Sequence, residues 1–326
     1  MRVSTNMIYQ QALRNMTQAE SSLLVYGNQL ATGKRVVKPS DDPQAAALAV
    51  MIAQTEAQNS QYRANLSFAD NAMSLEDSTL TAVVSAIKMI KDLLVHAGDG
   101  AIGDLAAVAL GTQMRALKAD LLQLANSMDG DRSYIFAGYQ TATKPFEINA
   151  GTGEVSYVGG KLPITQQVDE NRRVIISHTG HRIFMTLPDN PIKEPADPVT
   201  GLIPPSEADI FKSIDIAIRA LEEPWTTEAI KHNAVLQFAK ASRGISNSLT
   251  NVLTVHTQLG SEWRELSDVN TLSSSRMINN VKQISTLVDA DMYEATSNYH
   301  QQKVTLEAAM AVVNSMKGLS LFQINR

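Results

Sequence analysis

Two imidazoles stand three residues apart in HTGH, His178 and His181, and they are the best prospect for metal chemistry in the chain. A zinc site needs three or four convergent protein ligands. A glycine turn between two histidines does not make them converge and no third ligand stands nearby, so exposed turn histidines are the expectation and a metal hydrolase is a weak rival. Asp41 and Asp42 offer paired carboxylates for acid–base work. No histidine, nucleophile or anion hole accompanies them, and capping of the next helix is the expected role. The glycines at 151, 153, 159 and 160 read as hairpin turns, because no helix follows to offer amide protons to a phosphate. Cysteine is absent, which removes thiol nucleophiles, thiolate metal sites and disulfides. No catalytic, cofactor or metal site is expected.

The densest polar stretch is ATGKRVVKPSDDP, which brings Gly33, Lys34, Arg35, Lys38, Pro39, Asp41, Asp42 and Pro43 together. Its meaning depends on what it joins. On its N-terminal side Tyr9, Ala12, Met16, Ala19, Leu23, Tyr26 and Leu30 alternate three and four apart, a single apolar stripe on a helix that Gly33 closes. On its far side Asp42 or Ser40 can cap a helix with Pro43 in its first turn, where the missing amide proton costs little. That stripe runs Ala45, Leu48, Ile52, Thr55, Asn59, Tyr62, Leu66, Ala69, Met73, Glu76, Leu80, Val83, Ile87, Ile90 and Leu94. Only Thr55, Asn59 and Glu76 break it. With no Gly or Pro over residues 44–97, the helix should reach roughly 80 Å at about 1.5 Å per residue. A third helix carries Leu110, Met114, Leu117, Leu121, Leu124 and Met128.

Residues 134–187 change character: β-branched and aromatic residues alternate with turn signals in YIFAGY, GTGEVSYVGG and RRVIISHTGHRIFMTL, which predicts several short hairpins. A proline-rich stretch, 188–205, reads as an extended link or loop. Helix returns at Ser206 with Ile210, Ile214, Ala217 and Leu221 on one side. Thr227 then caps a long run striped by Val235, Phe238, Ser242, Ile245, Leu249, Val252, His256, Leu259, Trp263 and Leu266. Past Ser273 the stripe is expected to resume one position shifted, through Ile278, Val281, Ser285, Val288, Met292, Ala295, Tyr299, Gln302, Leu306, Ala309, Val313 and Met316. Trp263 and Tyr299 sit at seam positions and read as core. Asp289 and Asp291 fall at flanking positions where charges steer pairing; Lys34 or Arg35 of another chain would answer them, and solvated surface charges are the equal alternative.

Helices, then strands, then helices with stripes at both chain ends imply a mainly α protein with a small β-rich insert. The expected architecture is an elongated rod of long antiparallel helices, its N- and C-terminal helices paired in a coiled coil. The segments are 1–42, the N-terminal part of that coiled coil with the joint; 43–133, long rod helices; 134–205, the β-rich knob and connector; 206–277, the return helices; and 278–326, the C-terminal part. Composition agrees, since aromatics are only 5% of 326 residues. Twenty-eight basic against 33 acidic residues give a net charge of −5, so no overall field favours nucleic acid or an anionic membrane. The longest apolar run, residues 45–53, is too short to span a bilayer, and residues 1–16 lack the apolar core of a signal peptide. The expectation is a cytoplasmic chain, or one exported without a cleaved signal. Charge is sparse at both ends: residues 1–33 hold only Arg2, Arg14 and Glu20, and residues 304–326 only Glu307, Lys317 and Arg326. Such helices should be weakly stable alone, with their second apolar faces met by neighbouring molecules.

The start MRVSTNMIYQQALRNM, the joint ATGKRVVKPSDDP and the close LEAAMAVVNSMKGLSLF resemble the flagellin superfamily at both ends. YIFAGYQTATKPF, YVGG and HTGHRIF resemble its hook–filament junction branch rather than filament flagellin, which is the runner-up. A long helical scaffold or signalling protein is a more distant alternative. The resemblance implies a secreted structural protein, exported unfolded by the flagellar type III apparatus and assembled at the tip. It implies as partners further copies in a ring, hook-associated protein 1, flagellin, and an export chaperone bound at residues 304–322. It also implies a terminal interface, to which Tyr9, Ala12, Met16, Leu23, Tyr26, Leu30, Met292, Ala295, Tyr299, Leu306, Val313, Met316, Leu319, Leu321 and Phe322 are assigned. The joint is then expected to act in assembly.

Overall fold

The structure is a computed structural model that describes the backbone of residues 5–98, 103–196, 201–225 and 227–322; the side chains of 5, 6, 104 and 316–322 lie outside the description. Its elements in chain order are α1 (Thr5–Thr32), α2 (Pro43–Gly98), α3 (Asp104–Ala125), β1 (Phe146–Ile148), β2 (Val155–Tyr157), β3 (Ile164–Asp169), β4 (Arg172–Ser177), α4 (Gly180–Phe184), α5 (Ile210–Glu222), α6 (Glu228–Val288) and α7 (Met292–Phe322). The fold is mainly helical with two antiparallel hairpins, β1–β2 and β3–β4. Two compact units form, residues 1–60 with 273–326, and residues 61–272.

In the larger unit the stripe of α2 is buried as its spacing requires: Leu66, Met73, Leu80, Val83, Ile87, Ile90 and Leu94 are at most 3% exposed. They share one core with Met114 and Leu121 of α3, Ile214 and Leu221 of α5, and Ile245, Val252 and Leu259 of α6. α5 lies along α3, where Lys118 Nζ meets Asp215 Oδ1 at 2.6 Å. The strand region supplies the aromatic part of this core. The Phe146 ring lies 5.2 Å from Tyr157, 5.4 Å from Phe184 and 5.6 Å from Phe211, edge-on or tilted as ring quadrupoles favour. Gly138, at φ +58°, lets the 134–141 turn pass Leu162 O, which a Cβ there would meet at 2.7 Å.

Several expectations need correction. α3 ends at Ala125, and Met128 lies beyond it, 46% exposed, bridging Tyr134. YIFAGY forms turns rather than a strand, and His181 to Phe184 lie in α4, which Thr179 caps by accepting from Arg182 N. α5 begins at Ile210 instead of Ser206, because buried Asp209 accepts from Phe211 N and Lys212 N; burial pushes its carboxyl up to about 6. The described part of the proline-rich stretch, 188–196 and 201–205, is irregular, and its first portion is held: Ile192 N donates to Asn247 Oδ1 at 2.7 Å, Asn247 Nδ2 donates to Ile192 O at 3.0 Å, and Arg243 Nε donates to Glu194 Oε2 at 2.9 Å.

The stripe of α6 does not slip. Ile278 and Val281 are 62% and 54% exposed, whereas Ser273 is buried and Met277, Asn280, Ile284 and Leu287 are half-buried, continuing the spacing of Leu266 unchanged. Polar pairs explain how these positions tolerate burial. Asn59 Nδ2 donates to Ser273 O at 3.0 Å and Ser273 Oγ donates to Asn59 Oδ1 at 2.7 Å, while Asn280 Nδ2 donates to Glu56 Oε2 at 2.8 Å. Glu56, rather than the exposed Thr55, faces inward, and Ala49 and Ala234 take the places expected of the exposed Leu48 and Val235.

Candidate functional site at the helix joint

Both helix breaks of the smaller unit meet. Gly33 N donates to Gln29 O at 2.8 Å and the residue adopts φ +69°, the left-handed conformation that ends helices at glycine. The chain then pairs with the interruption between α6 and α7. Arg35 N and Val36 N donate to Val288 O at 2.7 and 3.2 Å, and Ala290 N donates to Gly33 O at 2.9 Å. Lys34 and Asp289 form an antiparallel bridge there. Val36 is buried beneath it.

Side chains reinforce the backbone. Arg35 reaches Asp42 Oδ2 at 3.2 Å with one nitrogen and donates to Leu287 O at 2.7 Å with another, so one guanidinium ties the start of α2 to the end of α6. Asp42 caps α2: its Oδ1 accepts from Ala45 N at 3.0 Å, and Pro43 opens the helix. The Ala45 amide, followed by Arg35, holds the Asp42 carboxyl below its ordinary range. Asp41 does not cap the helix; its Oδ2 accepts from Val37 N at 3.1 Å and Lys38 N at 2.8 Å and shapes the loop. Lys34, Lys38 and Pro39 are exposed.

Asp289 and Asp291 also differ from expectation. They lie in the break rather than on a continuous helix, so they do not flank a seam, and Asp291 caps α7 by accepting from Tyr293 N at 2.9 Å and Glu294 N at 3.3 Å. A cleft of about 180 Å³ opens beside them, lined by Tyr26, Gln29, Arg35, Asp291, Glu294 and Asn298 among others.

From the joint, α1 and α7 run side by side in opposite directions, with Tyr299 packed on Gly27. Among the expected interface residues Tyr9, Ala12, Met16, Leu23, Tyr26, Leu30, Tyr299 and Leu306 are half-buried, and Ala295 and Val313 are 3% and 4% exposed. Met292 is 49% exposed at the start of α7, outside this stripe. Met316, Leu319, Leu321 and Phe322 lie outside the described side chains. The outer sides of these helices expose several apolar side chains among mainly uncharged polar ones: Ile8, Leu24, Val25, Val304, Met310 and Val312 are 44–65% exposed.

The histidine pair separates. His178 is buried, with Nδ1 3.0 Å from Glu76 Oε1, while His181 is exposed with its ring 6.0 Å from Tyr157. The expectation of two exposed histidines therefore fails at His178. The signal was present as a carboxylate at a buried stripe position, which demands a partner. No cluster of three His, Asp or Glu suited to a metal ion occurs among the described residues, and no described helix is long and apolar enough to cross a membrane.

Residues 3–141 match the bacterial flagellin N-terminal helical region. The chain is 42% identical over 327 residues to the flagellar hook-associated protein 3 of Escherichia coli (strain K12), and 40% identical over 327 residues to that of Salmonella typhimurium, covering the full length of both. A solved structure of flagellar hook-associated protein 3 from Legionella pneumophila shares the fold, with a TM-score of 0.65 and 18% identity over 73% of this chain and 98% of that one. The chain belongs to the flagellar hook-associated protein 3 family within the flagellins, and is a structural component of the bacterial flagellum.

Proposed function

We propose that the chain forms the junction between the flagellar hook and the filament. Copies form a ring that meets hook-associated protein 1 on the hook side and flagellin on the other. α1 and α7 pair as a coiled coil whose outer faces are covered by neighbouring copies. The observation that carries this reading is the set of exposed apolar side chains on α1 and α7, helices that hold few charges and bury only Ala19, Ala295 and Val313 fully among their described apolar residues. Isolated apolar residues are ordinary on a surface, but two helices lined with them on a second face fit an assembly interface. The names of the full-length relatives support the same reading. Export proceeds unfolded through the flagellar type III apparatus, with a chaperone holding residues 304–322 beforehand.

Removing the gene from its bacterium tests this. Cells should carry hooks without filaments and release unpolymerised flagellin into the culture fluid, both visible by electron microscopy and gel analysis. Normal filaments on such cells would overturn the junction reading. Polymerisation of the pure protein into long filaments by itself would favour the filament role instead.

A further inference from the structure

Within residues 61–272 Glu76 of α2 bonds His178 after β4, and Glu262 of α6 lines a cleft with His178. Glu76 is 1% exposed and accepts from His178 twice over: from its backbone N at 3.1 Å, and at the ring, whose Nδ1 lies 3.0 Å away. Glu262 Oε2 is buried and has no hydrogen-bond partner among the described residues. A carboxylate so placed is costly unless a charge of opposite sign stands near or a proton neutralises it. The surrounding groups are Arg182 of α4 and Lys161 before β3, which line a cleft of about 390 Å³ with His178 and Glu262, and Glu265 one turn on, which reaches Arg172 at 3.7 Å. His178 therefore faces two carboxylates, and Arg182 opposes its charge.

We propose that Glu76, His178 and Glu262 form a proton-operated latch. With both ring nitrogens protonated, the charged His178 holds the 178–184 segment on Glu76 of α2 and is drawn toward Glu262 of α6; loss of one proton leaves a ring N–H and the backbone N–H for Glu76 but removes the charge between the two carboxylates and loosens that segment. The segment matters for the core, because Ile183 and Phe184 are fully buried and Phe184 packs on Phe136, Phe146 and Phe211. Asn251 Nδ2 also holds Arg182 O and Ile183 O, and Gly180 N donates to Phe136 O, so these attachments remain when the tie to Glu76 loosens.

Burial alone pulls His178 down, but the hydrogen bond and charge of Glu76 and the charge of Glu262 outweigh it, leaving the imidazole above its ordinary 6.5. A raised histidine contributes fully below the ordinary value and loses that contribution as pH rises through the folded one. Glu262 acts in the same direction. Burial, with Glu76 and Glu265 nearby, raises its carboxyl above 4.5 against the pull of His178, so the stability it contributes is likewise lost as pH rises through its folded value.

The test uses the full chain, with His178 followed by NMR and amide exchange of residues 178–184 normalised to intrinsic rates. The His178 midpoint should lie above 6.5 and fall in both Glu76→Gln and Glu262→Gln, more in the first. Segment opening should grow about tenfold for each pH unit by which the folded midpoint exceeds that of the free ring, then level off. His178→Gln should abolish this step. If Glu76→Gln fails to fold, the half-buried Glu262→Gln decides. An unmoved midpoint in the folded glutamine variants, or the same exchange profile in His178→Gln and the parent, would overturn the latch.

Discussion

Deleting residues 304–326 abolishes incorporation of the protein into flagella while residues 61–272 keep their fold. The truncation removes Leu306, Ala309 and Val313, the far half of the seam along α1. A fully buried aliphatic side chain contributes about 1.5–3 kcal/mol; with Val313 buried and Leu306 and Ala309 half-buried, about 3 kcal/mol of packing disappears from a pair of helices that holds little else. α1 has only Arg14 and Glu20 as charged groups and no basic residue in its last turn, so it should not persist as a lone helix. The core of the larger unit contains no residue beyond Val269 and should melt as before. The check is fractionation of flagella from cells making the truncated chain, together with thermal unfolding of the purified protein. Normal incorporation would refute a terminal interface; a lost main transition would show that the two units are not energetically separate.

Arg35→Glu should cut incorporation by about tenfold or more while leaving the main unfolding transition in place. The substitution sets a second carboxylate against Asp42 and removes the donor to Leu287 O, so both side-chain ties of the joint fail together. Because Arg35 and Asp42 keep 47% and 33% of their side-chain surface in solvent, the pair adds little to the fold itself. The effect on assembly is larger for a geometric reason. If the proposed ring places the joint region against neighbours on both sides, a small loss per contact multiplies in the equilibrium. Arg35→Lys provides the graded comparison, since one ammonium cannot reproduce the fork that holds Asp42 and Leu287 O at once. Pull-down of tagged variants with flagella from producing cells measures the ratio. Equal incorporation of Arg35→Glu and the parent would sink the role given to the joint.

Much of this arrangement was legible in the chain. Three-and-four spacing located α1, α2 and the seam of α7; the glycine at 33 marked the helix end, and Asp42 before Pro43 marked the next start. Other features were hidden for identifiable reasons. Ile278 and Val281 are apolar at the spacing of a stripe but face outward, while Asn280 and Ser273 face inward because Glu56 and Asn59 satisfy them. Pattern reading weighs polarity and cannot see a polar pair that crosses 214 residues of sequence. The same limit concealed Glu76 with His178, which are 102 residues apart. Strict sevenfold repetition also misplaced Leu48 and Thr55 by one position, since a helix of about 3.6 residues per turn drifts against a period of 3.5. At the joint, the loop's polar residues were evident, but pairing with Val288 O and Ala290 N depends on a second break that no glycine or proline announces.

The most direct test of the central claim is immunogold labelling of intact flagella with antibody against a tag on this chain, viewed by electron microscopy. Labelling in one narrow band where the hook meets the filament is the expected result. Gold distributed along the filament, or confined to the cell body, would contradict the account.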